Sequence, residues 1–213
     1  PKLSDEAMYG IAGEVARLAT LNSEADPAAV LITFLAQAGA AFGSNVYVPV
    51  GETQHPPRLF AAIVGASSRA RKGTSSNPVH RIFREAGNFN ERASVRTHPG
   101  PTSSGEGLIY AVRDAREQSN KDSDEPADQG IKDKRLFITE GELAGGLRAA
   151  QRDGNTLSTI QRCLWDSGTV EPLTKNNRQK TTNAHICIVG HITRMELSQV
   201  LKGSEISNGF ANR

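Results

Sequence analysis

Three short apolar runs, each closed by a glycine or an acid, constrain what this chain can fold into more than any other feature. Leu59-Phe60-Ala61-Ala62-Ile63-Val64 ends at Gly65, Leu136-Phe137-Ile138-Thr139 ends at Glu140, and Ile186-Cys187-Ile188-Val189 ends at Gly190. Runs this short, with no polar residue at every second place, read as strands buried on both faces. Residues 93–97 form a weaker strand candidate. Helical patterns over 79–86, 107–116, 142–152 and 157–165 separate the runs. Strands alternating with helices predict an α/β domain with a mainly parallel sheet covered on both sides.

The first 55 residues follow a different pattern. Ser4 can cap a helix with Asp5 and Glu6 in its first turn, and Met8, Ile11, Val15 and Leu18 then recur at helical spacing. A second helix is delimited by Asp26 as cap, Pro27 at its first position and Gly43 as its stop. Its apolar residues cover most of its circumference, which predicts burial. A short strand is expected over 46–50. The expected organisation is an N-terminal helical segment, 1–55, packed on a core, 56–213. The polar stretch 117–134, with Pro126 and Gly130, reads as a mobile loop.

Composition excludes several classes. With 37% hydrophobic and 23% charged residues the chain belongs with soluble globular domains. A net charge of +2 gives no overall basic character, so any nucleic-acid contact must come from a local patch. The two cysteines, Cys163 and Cys187, have no metal-like spacing and suit a reducing, cytoplasmic setting. The longest apolar run, 28–42, is interrupted by Thr33 and Gln37 and is too short to span a bilayer, so no membrane partner is expected. The chain starts without Met and stops at Arg213 with no closing element, which reads as a piece of a longer protein truncated at its C-terminus.

The sharpest chemical signal follows the first run: Gly65-Ala66-Ser67-Ser68-Arg69-Ala70-Arg71-Lys72-Gly73-Thr74-Ser75. Small residues let backbone N–H groups converge on phosphate oxygens, a lysine reaches the terminal phosphates, and a hydroxyl ligates magnesium. Here Lys72 and either Thr74 or Ser75 fill those roles, and Gly65, Ser67, Ser68, Arg69, Ala70, Arg71, Lys72, Gly73, Thr74 and Ser75 form the expected nucleotide cradle. The loop is longer than the usual spacing and its glycine follows the lysine. Pro78 lies where the next helix should be hydrogen-bonding, so that helix is expected to start late or kink.

Glu140 ends the second run and Glu142 follows it. An acid at the carboxyl edge of a parallel sheet is where such sites hold magnesium and polarise water, so Glu140 is the candidate magnesium-side carboxylate, with Thr74, and Glu142 the candidate base. An acidic helix start explains the same residues without chemistry. Glu106, in Thr102-Ser103-Ser104-Gly105-Glu106-Gly107, competes for the water-activating role, beside the plainer reading that Ser103 or Ser104 caps a helix there. His191 and Thr193, at the tip of the third run, are placed to sense a terminal phosphate or to cap the next helix. The loop 173–182 carries Lys175, Arg178 and Lys180, a candidate contact for a nucleic-acid backbone.

With these motifs in view, the chain resembles a family of uncharacterised ATPase-like domains of actinobacterial, phage and plasmid proteins associated with replication. The matching stretches include Ala70-Arg71-Lys72-Gly73-Thr74-Ser75, Ser103-Ser104-Gly105-Glu106-Gly107-Leu108-Ile109, Gly154-Asn155-Thr156-Leu157-Ser158, Gly190-His191-Ile192-Thr193 and Asn208-Gly209-Phe210-Ala211-Asn212-Arg213. Pro101-Thr102 stands where the family pattern leads one to expect Gly-Leu. The resemblance implies a RecA-type P-loop core, similar to those of replicative helicases, and makes Arg213 a phosphate-contacting arginine. It implies magnesium-dependent ATP hydrolysis coupled to remodelling or unwinding of DNA, with single-stranded DNA as a partner and a homo-oligomer in the full-length protein. A nucleotide-binding switch with little turnover, and a small-molecule kinase with 117–134 as its lid, are the alternatives.

Overall fold

The computed structural model describes residues 3–65, 72–116, 127–173, 179–201 and 209–212. Seven helices and six strands span them: α1 (Gly10–Thr20), α2 (Pro27–Phe42), β1 (Val48–Val50), β2 (Thr53–His55), β3 (Phe60–Gly65), α3 (Lys72–Phe89), β4 (Arg96–His98), α4 (Gly105–Ala111), β5 (Arg135–Glu140), α5 (Leu143–Ala150), α6 (Leu157–Asp166), β6 (His185–Thr193) and α7 (Arg194–Val200).

The three apolar runs became β3, β5 and β6, neighbours in a four-stranded sheet of order β3-β6-β5-β4 in which every pairing is parallel. The molecule is therefore α/β. β6 is buried along its whole length, whereas β4 is exposed at all three of its positions. This gradient explains why β6 could dispense with polar alternation and why β4 was the weakest signal. A separate antiparallel hairpin pairs β1 with β2.

Side-chain alternation divides the strands between two faces. Leu136, Ile138, Ile186 and Ile188 pack with Leu108 of α4 and Leu157, Ile160 and Leu164 of α6. Phe137, Cys187 and Val189 point the other way, onto Ala36 and Ala40 of α2. Each fully buried Leu, Ile or Phe of this kind contributes roughly 1.5–3 kcal/mol. α3 joins α2 on the second face, with Val79 and Phe83 against Val30, Leu31 and Phe34. α5 and α7 lie on the first face, where Ala144, Leu147 and Val200 enclose Ile192.

Several local expectations need correction. α3 begins at Lys72 and runs unbroken for 18 residues through Pro78, rather than starting late. A proline in the second turn removes one hydrogen bond, that to the Thr74 carbonyl, and the packing of Val79 and Phe83 holds the helix on its far side. Ser4 makes no side-chain cap: 5–7 form a 3-10 turn and α1 begins only at Gly10. The strand expected over 46–50 is limited to Val48–Val50, and 91–93 are a 3-10 turn preceding β4. α4 stops at Ala111, because 113–116 are drawn off to pair with 128–131, through Arg116 with Asp128 and the Ile131 N–H bond to the Arg113 carbonyl. The end of the expected mobile loop is thus held, with Arg113 bidentate on Asp128; 117–126 lie outside the described residues. No helix among the described residues is long and apolar enough to cross a membrane.

Candidate functional site

The parallel sheet brings the carboxyl ends of β3, β6 and β5 to one edge. Glu140 pairs in register with Gly190, Ile63 with His191 and Gly65 with Thr193. The chain leaves β3 into α3 on one face of the sheet, but leaves β5 and β6 into α5 and α7 on the other. Adjacent strands whose connections depart to opposite faces open a crevice between them, the usual ligand site of an open α/β sheet. Gly65 ends β3 at that edge, beside Thr193 of β6, and Lys72 begins α3.

The start of α3 carries Lys72, Gly73, Thr74 and Ser75. Of the two hydroxyls, Thr74 is exposed, whereas Ser75 is turned inward at 4% exposure. Ser67, Ser68, Arg69, Ala70 and Arg71 lie outside the described residues, as do Lys175, Arg178 and Arg213.

Glu140 is 1% exposed. Its Oε1 accepts two hydrogen bonds from Thr102, one from the backbone N–H at 2.8 Å and one from the hydroxyl. Its Oε2 is buried and has no hydrogen-bond partner among the described residues. Two glycines make room for this carboxyl group. A Cβ on Gly100 would meet Cγ of Glu140 at 2.9 Å, and a Cβ on Gly146 would lie 3.0 Å from Oε2. Burial pushes the Glu140 carboxyl above its ordinary range, against the pull of the Thr102 bonds and the nearby His98 charge. By alternation Glu140 shares the face of Leu136 and Ile138, away from α3, whereas Thr139 faces the side of Gln37 and His80.

The rival acids are differently placed. Glu106 is exposed in the first turn of α4, and its carboxylate accepts a hydrogen bond from the Thr156 hydroxyl at 2.9 Å. Ser104 is the cap of α4, bonding the Gly107 N–H. Glu142 occupies the cap position of α5, exposed and making no side-chain cap bond. His191 is 6% exposed within β6, on the face of Cys187 and Val189. Thr193 is committed to α7, where it forms a reciprocal capping box with Glu196. Of the basic loop, Lys180 pairs with Glu171 at 3.6 Å on the surface. Among the described residues no three His, Cys, Asp or Glu side chains come together as a metal site.

The carboxyl end of the sheet therefore carries Gly65, His191 and Glu140 on its strands, and Lys72, Glu142 and Glu106 stand at the starts of α3, α5 and α4 on both of its faces. The residue missed in the sequence is Thr102, which stood out only as a departure from a pattern. It lies 38 residues from its partner, so no local signal could join the two.

No family model matches the chain, and no curated protein matches it in sequence.

Proposed function

We propose that this protein binds ATP at the loop 65–75 and hydrolyses it with magnesium, and that turnover is coupled to remodelling of DNA in the replication of a mobile element. The observation that carries this reading is the succession of β3 and α3 at the carboxyl edge of the sheet. β3 ends at Gly65, and α3 opens directly with Lys72-Gly73-Thr74. α3 runs 18 residues from Lys72, which puts the positive end of its dipole at Lys72-Gly73-Thr74 and suits a polyphosphate there. A RecA-type core is the finer form of the same reading. Its support is the family resemblance together with a sheet in which β6 separates the loop-bearing strand from the acid-bearing one.

In this reading Lys72 neutralises charge on the terminal phosphates and Glu140 acts on the attacking water. Glu140 is favoured over Glu106 and Glu142 because its Oε2 is desolvated and without a donor among the described residues, whereas they are exposed. Magnesium takes hard oxygen donors and keeps several waters and substrate phosphates. The Thr74 hydroxyl at the start of α3 and the Glu140 carboxylate at the end of β5 are donors of that kind, on opposite faces of the sheet. When bound, magnesium supplies neutralisation of charge on the transferred phosphate. Homo-oligomer formation and single-stranded DNA as partner rest on the resemblance alone.

Lys72→Ala tests the reading: ATP affinity should fall and turnover should be lost, measured with and without single-stranded DNA. Wild-type affinity and rate in that variant remove the phosphate-loop assignment. One observation favours a second reading, a nucleotide switch with little turnover: Glu140 is shut away from solvent at 1% exposure. Nucleotide binding without steady-state hydrolysis selects it.

A further inference from the structure

We propose that Thr102 is a positioning residue that fixes which oxygen of Glu140 is presented for chemistry; this rests on the hydrolysis reading for its consequence, though not for its geometry. A glutamate carboxyl on a strand end turns broadly about its last torsion, so either oxygen can face a reacting group. Here the choice is removed. Thr102 places two donors on the same atom, Oε1: its N–H at 2.8 Å and its hydroxyl. Two bonds from one residue to one oxygen set the plane of the carboxyl group as well as its place.

Oε2 is left as the atom without a donor among the described residues, buried beside Gly146. A buried carboxyl oxygen with no partner is costly in a stable fold and marks a place where a further group belongs. The loop that carries Thr102 is seated for this purpose. Gly100 lies against Cγ of Glu140, and a methyl on Gly146 would crowd Oε2, the Thr102 carbonyl and the Thr102 hydroxyl together, at 3.0, 3.1 and 3.3 Å. Ser104, two residues on, anchors the far end of the loop as the cap of α4, and Asn155 holds the Ser103 carbonyl at 2.9 Å. Thr102 thus joins the start of α4 to the acid at the end of β5.

The experiment pairs kinetics with a nucleotide-free readout. Thr102→Val keeps the side-chain volume and removes the hydroxyl donor; Thr102→Ser keeps the donor. Loss of a hydrogen bond to a charged group that matters in the transition state should lower kcat roughly 10- to 100-fold in Thr102→Val, with KM for ATP changed less than about threefold. Thr102→Ser should remain within about threefold of wild type. The second readout is the side-chain carboxyl 13C resonance of Glu140, assigned by its disappearance in Glu140→Gln. It should move in Thr102→Val and return in Thr102→Ser, with no ATP present. A wild-type protein that neither binds nor hydrolyses ATP overturns the hydrolysis reading, and the resonance then decides the positioning role by itself. An unmoved resonance, or a Thr102→Val enzyme with wild-type kcat, overturns the proposal, as does an equal loss in both variants.

Discussion

Glu140 concentrates the cost of burying an ionisable group in a single side chain. The residue is 1% exposed and one carboxyl oxygen has no donor among the described residues, so ionising it in the folded protein is unfavourable. Its folded proton affinity is raised by that burial. The contribution of such a group to stability is fully present below the ordinary carboxyl range and is lost as pH rises through its raised folded value. Glu140→Gln removes the buried charge and retains an acceptor for Thr102. The variant should melt higher than wild type at pH 8, by about 1 kcal/mol in stability, with the gap closing as pH falls. In the same variant ATP binding should persist while hydrolysis drops by orders of magnitude, as for a group acting mainly in the transition state. Glu106→Gln should cost less, because the Glu106 carboxylate is exposed and bound to Thr156. A larger rate defect in Glu106→Gln would transfer the water-activating role to it.

Elements here are defined by their ends and by what covers them. α2 starts where Asp26 accepts from the Ala28 and Ala29 N–H groups and stops at Gly43, which adopts a positive φ of 71°. Asp26→Ala should lower unfolding stability by about 1 kcal/mol, read as a shift in the urea midpoint at constant slope. A second tie binds α2 to the sheet. His185 at the start of β6 donates from Nε2 to the Gly39 carbonyl at 3.0 Å, because a carbonyl can only accept. Burial, with the Arg58 charge adding to it, lowers His185 from 6.5 to about 4. The unfolded chain takes up this proton first, so the contribution of the neutral ring is fully present above pH 6.5 and is lost as pH falls towards 4. A shift of that size corresponds to on the order of 3 kcal/mol. Melting temperatures measured over this range should fall less steeply in His185→Gln than in wild type. Parallel curves would remove His185 as the source of acid sensitivity.

At the scale of the molecule, the order β3-β6-β5-β4 produces the crevice, because β3 sends its helix to one face while its neighbour β6 sends its own to the other. Under the proposed ATPase reading, an arginine from a neighbouring copy that meets the transferred phosphate would add roughly 10³–10⁵ in rate. If assembly completes this site, specific ATPase activity should rise with protein concentration, in step with the mass read by light scattering. Brisk turnover by a monomer, independent of concentration, would count against assembly. The exposed apolar side chains of Ile11 and Leu18 on α1, with Tyr9 and Leu21 at its ends, are positions to vary if assembly is seen.

Much of this architecture was legible in the residues alone. An unbroken apolar run such as Ile186-Cys187-Ile188-Val189 can be satisfied only by a strand covered on both sides, and β6 is one. Asp26-Pro27 and Gly43 delimit α2 through backbone chemistry that needs no tertiary partner. What the sequence withheld depends on enclosure and on distance along the chain. Period-two alternation says that Thr139 and Glu140 face opposite ways but not which helix covers either, since that follows from the handedness of the crossovers. Of the late start or kink expected for α3, the late start did not occur, because the packing of Val79 and Phe83 on α2 outweighed the local effect of Pro78. Three acids looked alike as residues; only the folded chain desolvated one of them and set Thr102 against it. Desolvation is a property of everything that surrounds a group, and so it is decided when the loop before α4, the end of β5 and the first turns of α5 meet in space.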